Sequence, residues 1–212
     1  MTGLELARAY WETYGIPMIH EQFPEYEEIV AAALTGSGSE CYGFDDGISR
    51  DHDFEPGFCL FIPGEEIVDR RTAFQMERAY AKLPAEFEGY RRQKLQPVGG
   101  QRHGLFRIDE YFTDKTGCPP EQMTTEQWLR IPEYALAEAV NGEVFRDPAG
   151  LLTDCRKILE DMEVIPRRGE VDEPRKPRFD RIVITALCRL PRNASRMRYA
   201  AETGSGRTRC PV

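Results

Sequence analysis

No run of eighteen apolar residues occurs in the 212-residue chain, so a transmembrane helix is not expected. The first twelve residues, MTGLELARAYWE, carry acids and lack the apolar core of a secretory signal, which makes the cytoplasm the expected compartment. Cysteine occurs six times, yet no C-x-x-C pair forms and none of the three histidines stands at zinc-finger spacing. A structural zinc site is therefore not expected. Without a signal sequence disulfides are not expected either, and the cysteines read as small apolar residues or free thiols. Two nucleotide-binding fingerprints are also missing. GSGSECYG, Gly36 to Gly43, lacks the spacing G-x-G-x-x-G, and no Gly-Lys-Ser/Thr occurs, which argues against a dinucleotide fold and a P-loop. DHDFEPGFCLFI opens like a calcium loop, with Asp51, Asp53 and Glu55. Pro56 and Ile62, however, hold the positions where that loop needs glycine and glutamate.

Positive charge is scarce over most of the chain. Residues 1–164 hold 16 Lys/Arg against 31 Asp/Glu, whereas residues 165–212 hold 12 against 5. An acidic body does not steer toward nucleic acid or an anionic membrane. A nucleotide could bind it, with divalent cations to offset the carboxylates. The expected organisation is one domain over residues 1–164 followed by a Pro/Arg-rich linker and basic tail over 165–212. Residues 189–212 carry arginines without an apolar period and are expected to be poorly ordered, with the boundary near Cys188.

What is present is a mixture of helical and strand patterns. TGLELARAYWETYG has apolar residues at helical spacing, a capping box at Thr2 and Glu5, and a stop at Gly15 and Pro17. IVAAALTG reads as a buried strand leading into a tight loop, and GFCLFI as a second buried strand. Residues 65–83 read as an amphipathic helix with Ile67, Phe74 and Ala81 in its apolar stripe. GLFRIDEYF (104–112) reads as a later strand. Thr124 or Thr125 caps a helix through Trp128, PEYALAEAV is helical with a stop at Asn141-Gly142, EVFRD is a short strand, and PAGLLTDCRKILEDM is a helix.

The chemistry concentrates in LTGSGSECYGFDDGISRDHDF, Leu34 to Phe54. Gly36, Gly38 and Gly43 permit close backbone approach, and backbone N–H groups at such a turn form an anion cradle to which the Ser37 and Ser39 hydroxyls add donors. If RDHDF is a strand, Asp51 and Asp53 at i and i+2 face one side, and His52 and Phe54 face the other. Two carboxylates so close repel unless a cation lies between them. Mg²⁺, or Mn²⁺ in its place, is the natural occupant, because it takes one or two carboxylates and completes its shell with water and phosphate oxygens. Arg50 is a candidate for a phosphate contact or a surface ion pair. His52 and His103 read as structural histidines.

Gly38-Ser39, then Gly43, then Asp51-His52-Asp53-Phe54 resemble the signature of the polymerase-beta-like nucleotidyltransferase superfamily. More narrowly, GSECYGFDDGISRDHDF followed by GFCLFI resembles an uncharacterised bacterial branch of it, a domain of unknown function, as do HGLFRIDEYF and NGEVFRDPAGLLTDCRKIL. The likeness covers roughly residues 3–164. It implies an α/β (α+β) fold, a mixed sheet flanked by helices. It also implies Mg²⁺-dependent transfer of a nucleoside monophosphate from a nucleoside triphosphate to a hydroxyl on a small molecule or macromolecule. Carried over, Gly38 and Ser39 hold the triphosphate, Asp51 and Asp53 hold the metal, and Asp109 on a later strand is the candidate third carboxylate. His52 departs from the pattern, which has an apolar residue there, and the tail departs from the helical end usual in the superfamily. The alternative expectation is a non-catalytic nucleotide-binding or interaction module on the same fold, such as a partner in a regulatory or defence pair.

Overall fold

A computed structural model describes residues 1–44, 55–92 and 102–161. The expectations for Arg50, Asp51, His52, Asp53, the strand RDHDF and the tail beyond 161 lie outside these residues.

The chain starts as read. Helix α1 (Gly3–Tyr10) is capped by Thr2, whose hydroxyl accepts from the Glu5 N–H while the Glu5 carboxylate accepts from the Thr2 N–H. The expected stop at Gly15 and Pro17 is corrected. Trp11–Gly15 forms a π-helical turn that runs on into α2 (Ile16–Gln22). Gly15 stays helical, at φ −70° and ψ −48°, and a Cβ there would collide with the Trp11 and Phe58 rings. The glycine is thus kept for close packing, and the helix accommodates Pro17, which has no N–H to donate, directly after the π-helical turn, where the hydrogen-bond ladder shifts from its regular spacing.

Strands β1 (Ala31–Leu34) and β2 (Cys59–Ile62) form the centre of a four-stranded sheet. Beside them lie β5 (Gly104–Arg107) and β6 (Glu143–Arg146), in the order β5-β2-β1-β6. β1 is antiparallel to β2 and to β6, and β2 is parallel to β5. A separate hairpin pairs β3 (Glu86–Phe87) with β4 (Tyr90–Arg91). Both central strands are apolar at every position because both faces of the sheet are covered. Ala32, Leu60 and Ile62 point into one core with Tyr10, Trp11, Met76 and Tyr80. Ala31, Ala33, Cys59 and Phe61 point into the other with Phe112, Ala139, Leu152 and Leu159. This alternation is the two-residue period of the strand.

The fold is therefore mixed α/β with helices on both faces, as expected. Helix α3 (Arg70–Ala81) is capped by Asp69, whose carboxylate accepts from the Thr72 N–H at 2.7 Å. Its buried face is Met76, Ala79 and Tyr80, whereas Phe74 is exposed. The expected stripe was phased on Ile67, which precedes the helix. GLFRIDEYF is not one strand: β5 ends at Arg107 and α4 (Ile108–Thr116) begins at once. Helices α5 (Thr125–Trp128), α6 (Glu133–Val140) and α7 (Leu151–Asp161) follow. Among the described residues no helix is long and apolar enough to cross a membrane.

Candidate functional site

β1 delivers the chain into the turn Thr35–Ser39, of which Thr35 to Gly38 form one wall of a cavity of about 770 Å³. Gly36 has φ +120°, a conformation L side chains rarely adopt. Gly38 is different. Its backbone is extended, at φ −66° and ψ 142°, and a Cβ would collide with the Glu40 carboxylate and the Arg102 guanidinium. Ser39 opens a short 3-10 turn that ends at Gly43 in the left-handed region. Among the described residues no acceptor takes the backbone N–H of Ser37, Gly38 or Ser39.

The turn is pinned from outside. The Asn141 side chain accepts from the Gly36 N–H at 2.9 Å and donates to the Gly36 carbonyl at 2.7 Å. The Thr35 hydroxyl lies 3.1 Å from both Asn141 Oδ1 and the Glu138 carbonyl, and the Tyr111 hydroxyl lies 3.1 Å from that carbonyl and 3.4 Å from the Thr35 hydroxyl. The Gly142 N–H donates to the Cys41 carbonyl at 3.0 Å.

The facing wall comes from the start of β5 and from α4. Arg102 donates to Glu40 at 2.8 Å, a pair that is largely buried. His103 meets Glu55 at 3.2 Å, also buried. Arg107 donates to the carbonyls of Pro63 and Val68, and Lys115 pairs with Glu138 at 2.8 Å. Glu110, Tyr111, Asp114 and Lys115 reach the cavity from α4. Its lining thus interleaves cations and acids, suiting a charged, polar ligand better than an apolar one. Two thiols lie close by. Burial, with the neighbouring Glu40 charge, pushes Cys41 up to about 12, and burial pushes Cys59 up to about 12. Neither is a thiolate at neutral pH, so neither is an activated nucleophile.

Of the expected site residues, Ser37 and Gly38 line this cavity and Ser39 follows them. Asp51, Asp53 and Arg50 lie outside the described residues. The strand placement of Asp109 is corrected. It sits in the first turn of α4, is exposed, and is not among the residues lining the cavity. Its charge is felt instead by Glu121 and Cys155. The helix begins one residue earlier, at Ile108, and turns Glu110 and Tyr111 toward the cavity. Among the described residues no group of three or more His, Cys, Asp or Glu converges as a metal site.

Sequence reasoning missed Glu40, Arg102, Asn141 and Lys115. Arg102 had one legible signal, a basic residue just ahead of a strand edge. Asn141 read only as a helix stop, because its partners are over a hundred residues away in sequence.

Comparison with known proteins gives one family match: a domain of unknown function, DUF4037, over residues 128–167. That stretch contains Asn141, Gly142 and Arg156. No curated protein and no solved structure matches the chain.

Proposed function

We propose that this protein is a nucleotidyltransferase of the polymerase-beta-like kind, moving a nucleoside monophosphate from a nucleoside triphosphate to a hydroxyl acceptor. In that reaction the acceptor hydroxyl gives up its proton to solvent, its oxygen forms a bond to the α-phosphorus, the α–β anhydride bond breaks, and pyrophosphate leaves. The observation that carries the reading is the Gly36–Ser39 turn. It follows a fully buried strand, is held rigidly by Asn141, and, among the described residues, leaves the N–H groups of Ser37 and Gly38 without an acceptor beside a cavity that also receives Arg102 and Lys115, with the Ser39 N–H next in line. Successive backbone N–H groups in such a turn make an anion-binding concavity. Gly38 and Ser39 would hold the triphosphate, with the Ser37 hydroxyl at its edge. Arg102, already beside Gly38, can exchange Glu40 for a phosphate oxygen.

Asp51 and Asp53 are the carboxylates proposed to hold Mg²⁺. Glu55, two residues beyond Asp53 in sequence, pairs with His103, which lines the same cavity. The cation would neutralise the two acids and clamp phosphate oxygens in a body that is otherwise acidic. From α4 the acids available to this cavity are Glu110 and Asp114, rather than Asp109.

The test is a thermal-shift screen of ATP, GTP, CTP and UTP, each with and without Mg²⁺. A ligand that binds only the folded state raises its midpoint. The reading predicts a rise for at least one nucleotide with Mg²⁺ and little without it. No shift with any nucleotide at millimolar concentration would remove it.

A further inference from the structure

We infer that Asn141 is the positioning residue of the anion cradle. Through its side-chain amide it fixes the Gly36 peptide, so that the N–H groups of Ser37 and Gly38 face the cavity and that of Ser39 follows at its edge. The inference rests on the nucleotide reading for what the cradle holds.

Gly36 stands at φ +120°, so the turn depends on its surroundings to hold one conformation. Asn141 supplies the matching pair: its Oδ1 accepts from the Gly36 N–H at 2.9 Å and its Nδ2 donates to the Gly36 carbonyl at 2.7 Å. Only a side chain with one acceptor and one donor in this orientation does both. The Thr35 hydroxyl, 3.1 Å from Oδ1, helps to orient the amide. Asn141 is itself held. Its N–H donates to Ala137 at 2.8 Å, and Arg156 donates to its carbonyl at 2.8 Å and to that of Val140. Gly142 then follows so closely under β1 that a Cβ would run into the Leu34 carbonyl. The end of α6, the start of the cradle and α7 are thus one hydrogen-bonded unit. Asn141 does not line the cavity, so it acts through Gly36.

The substitution Asn141→Asp separates positioning from mere support. At pH 8 a carboxylate would still accept from the Gly36 N–H but would face the Gly36 carbonyl with no proton to give, and it would add a negative charge beside the triphosphate. Protonated, it regains one donor and one acceptor, the pattern of the amide. The charged and titratable groups around it are Arg156, Glu138 with its partner Lys115, Tyr111, Tyr42 and Cys41, with His103 across the cavity. The parent protein, measured at each pH, accounts for their titration.

The experiment measures binding of Mg²⁺–ATP, Mg²⁺–GTP, Mg²⁺–CTP and Mg²⁺–UTP to parent and Asn141→Asp at pH 8 and 5.5, together with amide NMR shifts of Gly36, Ser37 and Gly38. The inference predicts that affinity relative to the parent falls about tenfold at pH 8. The Gly36 carbonyl it faces, its partial burial and the nearby triphosphate raise the new carboxyl well above the ordinary aspartate value of about 3.9, so that it takes up its proton at pH 5.5; there the gap closes to about threefold or less, and the three amide shifts return toward those of the parent. An equal deficit at both pH values, or displaced amide shifts with unchanged affinity, would overturn it. If Asn141→Asp does not fold, Thr35→Val takes its place. It removes one hydrogen bond to Asn141 and should weaken binding about threefold without loss of fold; unchanged binding would overturn the inference. Failure of the parent to bind any nucleotide would defeat the proposed function instead. In that case a titration with magnesium pyrophosphate, followed at the same amides, decides the inference. Shifts at Ser37–Ser39 in the parent but not in Asn141→Asp would sustain it, and their absence from the parent would end it.

Discussion

At the scale of single residues, two glycines with nearly the same backbone give opposite expectations. Gly43 and Gly142 have φ of +72° and +69°. Among the described residues nothing lies within 4 Å of a Cβ added to Gly43, whereas one added to Gly142 meets the backbone of Leu34 and Thr35. Gly43→Ala should cost about 1–2 kcal/mol, the price of the left-handed conformation alone. Gly142→Ala adds an overpacking term against backbone that cannot rotate away, and should cost about 3 kcal/mol or more. Urea midpoints at unchanged slope measure the difference. The sequence made both glycines legible as turn formers, but not their surroundings. The same limit applies to Asn141: a helix stop can be read locally, but its bonds to Gly36 exist only once β1 and α6 are brought together. Gly38 was legible as a site of close approach, although the groups that approach it, Glu40 and Arg102, were not.

Secondary-structure elements were more legible than their boundaries. β1 and β2 were readable because fully buried central strands leave uninterrupted apolar runs between turn residues. The capping box at Thr2 was readable, and the cap of α5 was narrowed to Thr124 or Thr125, because caps are local chemistry; the structure places it at Thr124, with Gln127 completing a box. The reading failed where one apolar run served two elements, as in GLFRIDEYF. There the chain passes from β5 into α4 with no glycine or proline between them, and Arg107, at the junction, is tied to the Pro63 and Val68 carbonyls. It failed again at Gly15, where tertiary packing of Trp11 and Phe58 outweighed local propensity. One contact between elements can be tested by itself. The Tyr80 hydroxyl on α3 accepts from the Phe58 N–H at 3.1 Å and donates to the Phe58 carbonyl at 2.9 Å, just ahead of β2. The carbonyl has a second partner in the Gly104 N–H. Tyr80→Phe therefore strands chiefly one buried N–H, and should cost about 1–3 kcal/mol with the fold retained. Chemical denaturation of parent and variant measures this, and a loss within error of zero would show that the contact adds nothing.

At the scale of the whole molecule, buried strands among amphipathic helices were legible from pattern, whereas the mixed sheet flanked by helices came from the family resemblance. The charge balance favoured a ligand accompanied by cations over nucleic acid. The buried thiols give the molecule a predicted alkaline limit. Cys41 and Cys59 are held at about 12 in the folded protein against an ordinary value of 9.0. Between those values the unfolded chain releases protons that the folded one keeps, so stability is full below about pH 9 and falls as pH rises. Each thiol contributes a slope of about 1.4 kcal/mol per pH unit in that window. The double variant Cys41→Ser/Cys59→Ser should show a shallower decline from pH 9 to 11 than the parent, and parallel profiles would count against this account. The central claim, however, is that the rigid Gly36–Ser39 turn and the Asp51/Asp53 pair together bind a metal-bound nucleoside triphosphate. Its most direct test is a calorimetric titration of the nucleotide giving the largest thermal shift, with Mg²⁺, into the parent and into Asp53→Asn. The account predicts binding by the parent that chelation with EDTA abolishes, and at least about tenfold weaker binding by a variant that remains folded, because a charged partner of the cation is gone. Equal affinity in the two proteins would contradict it.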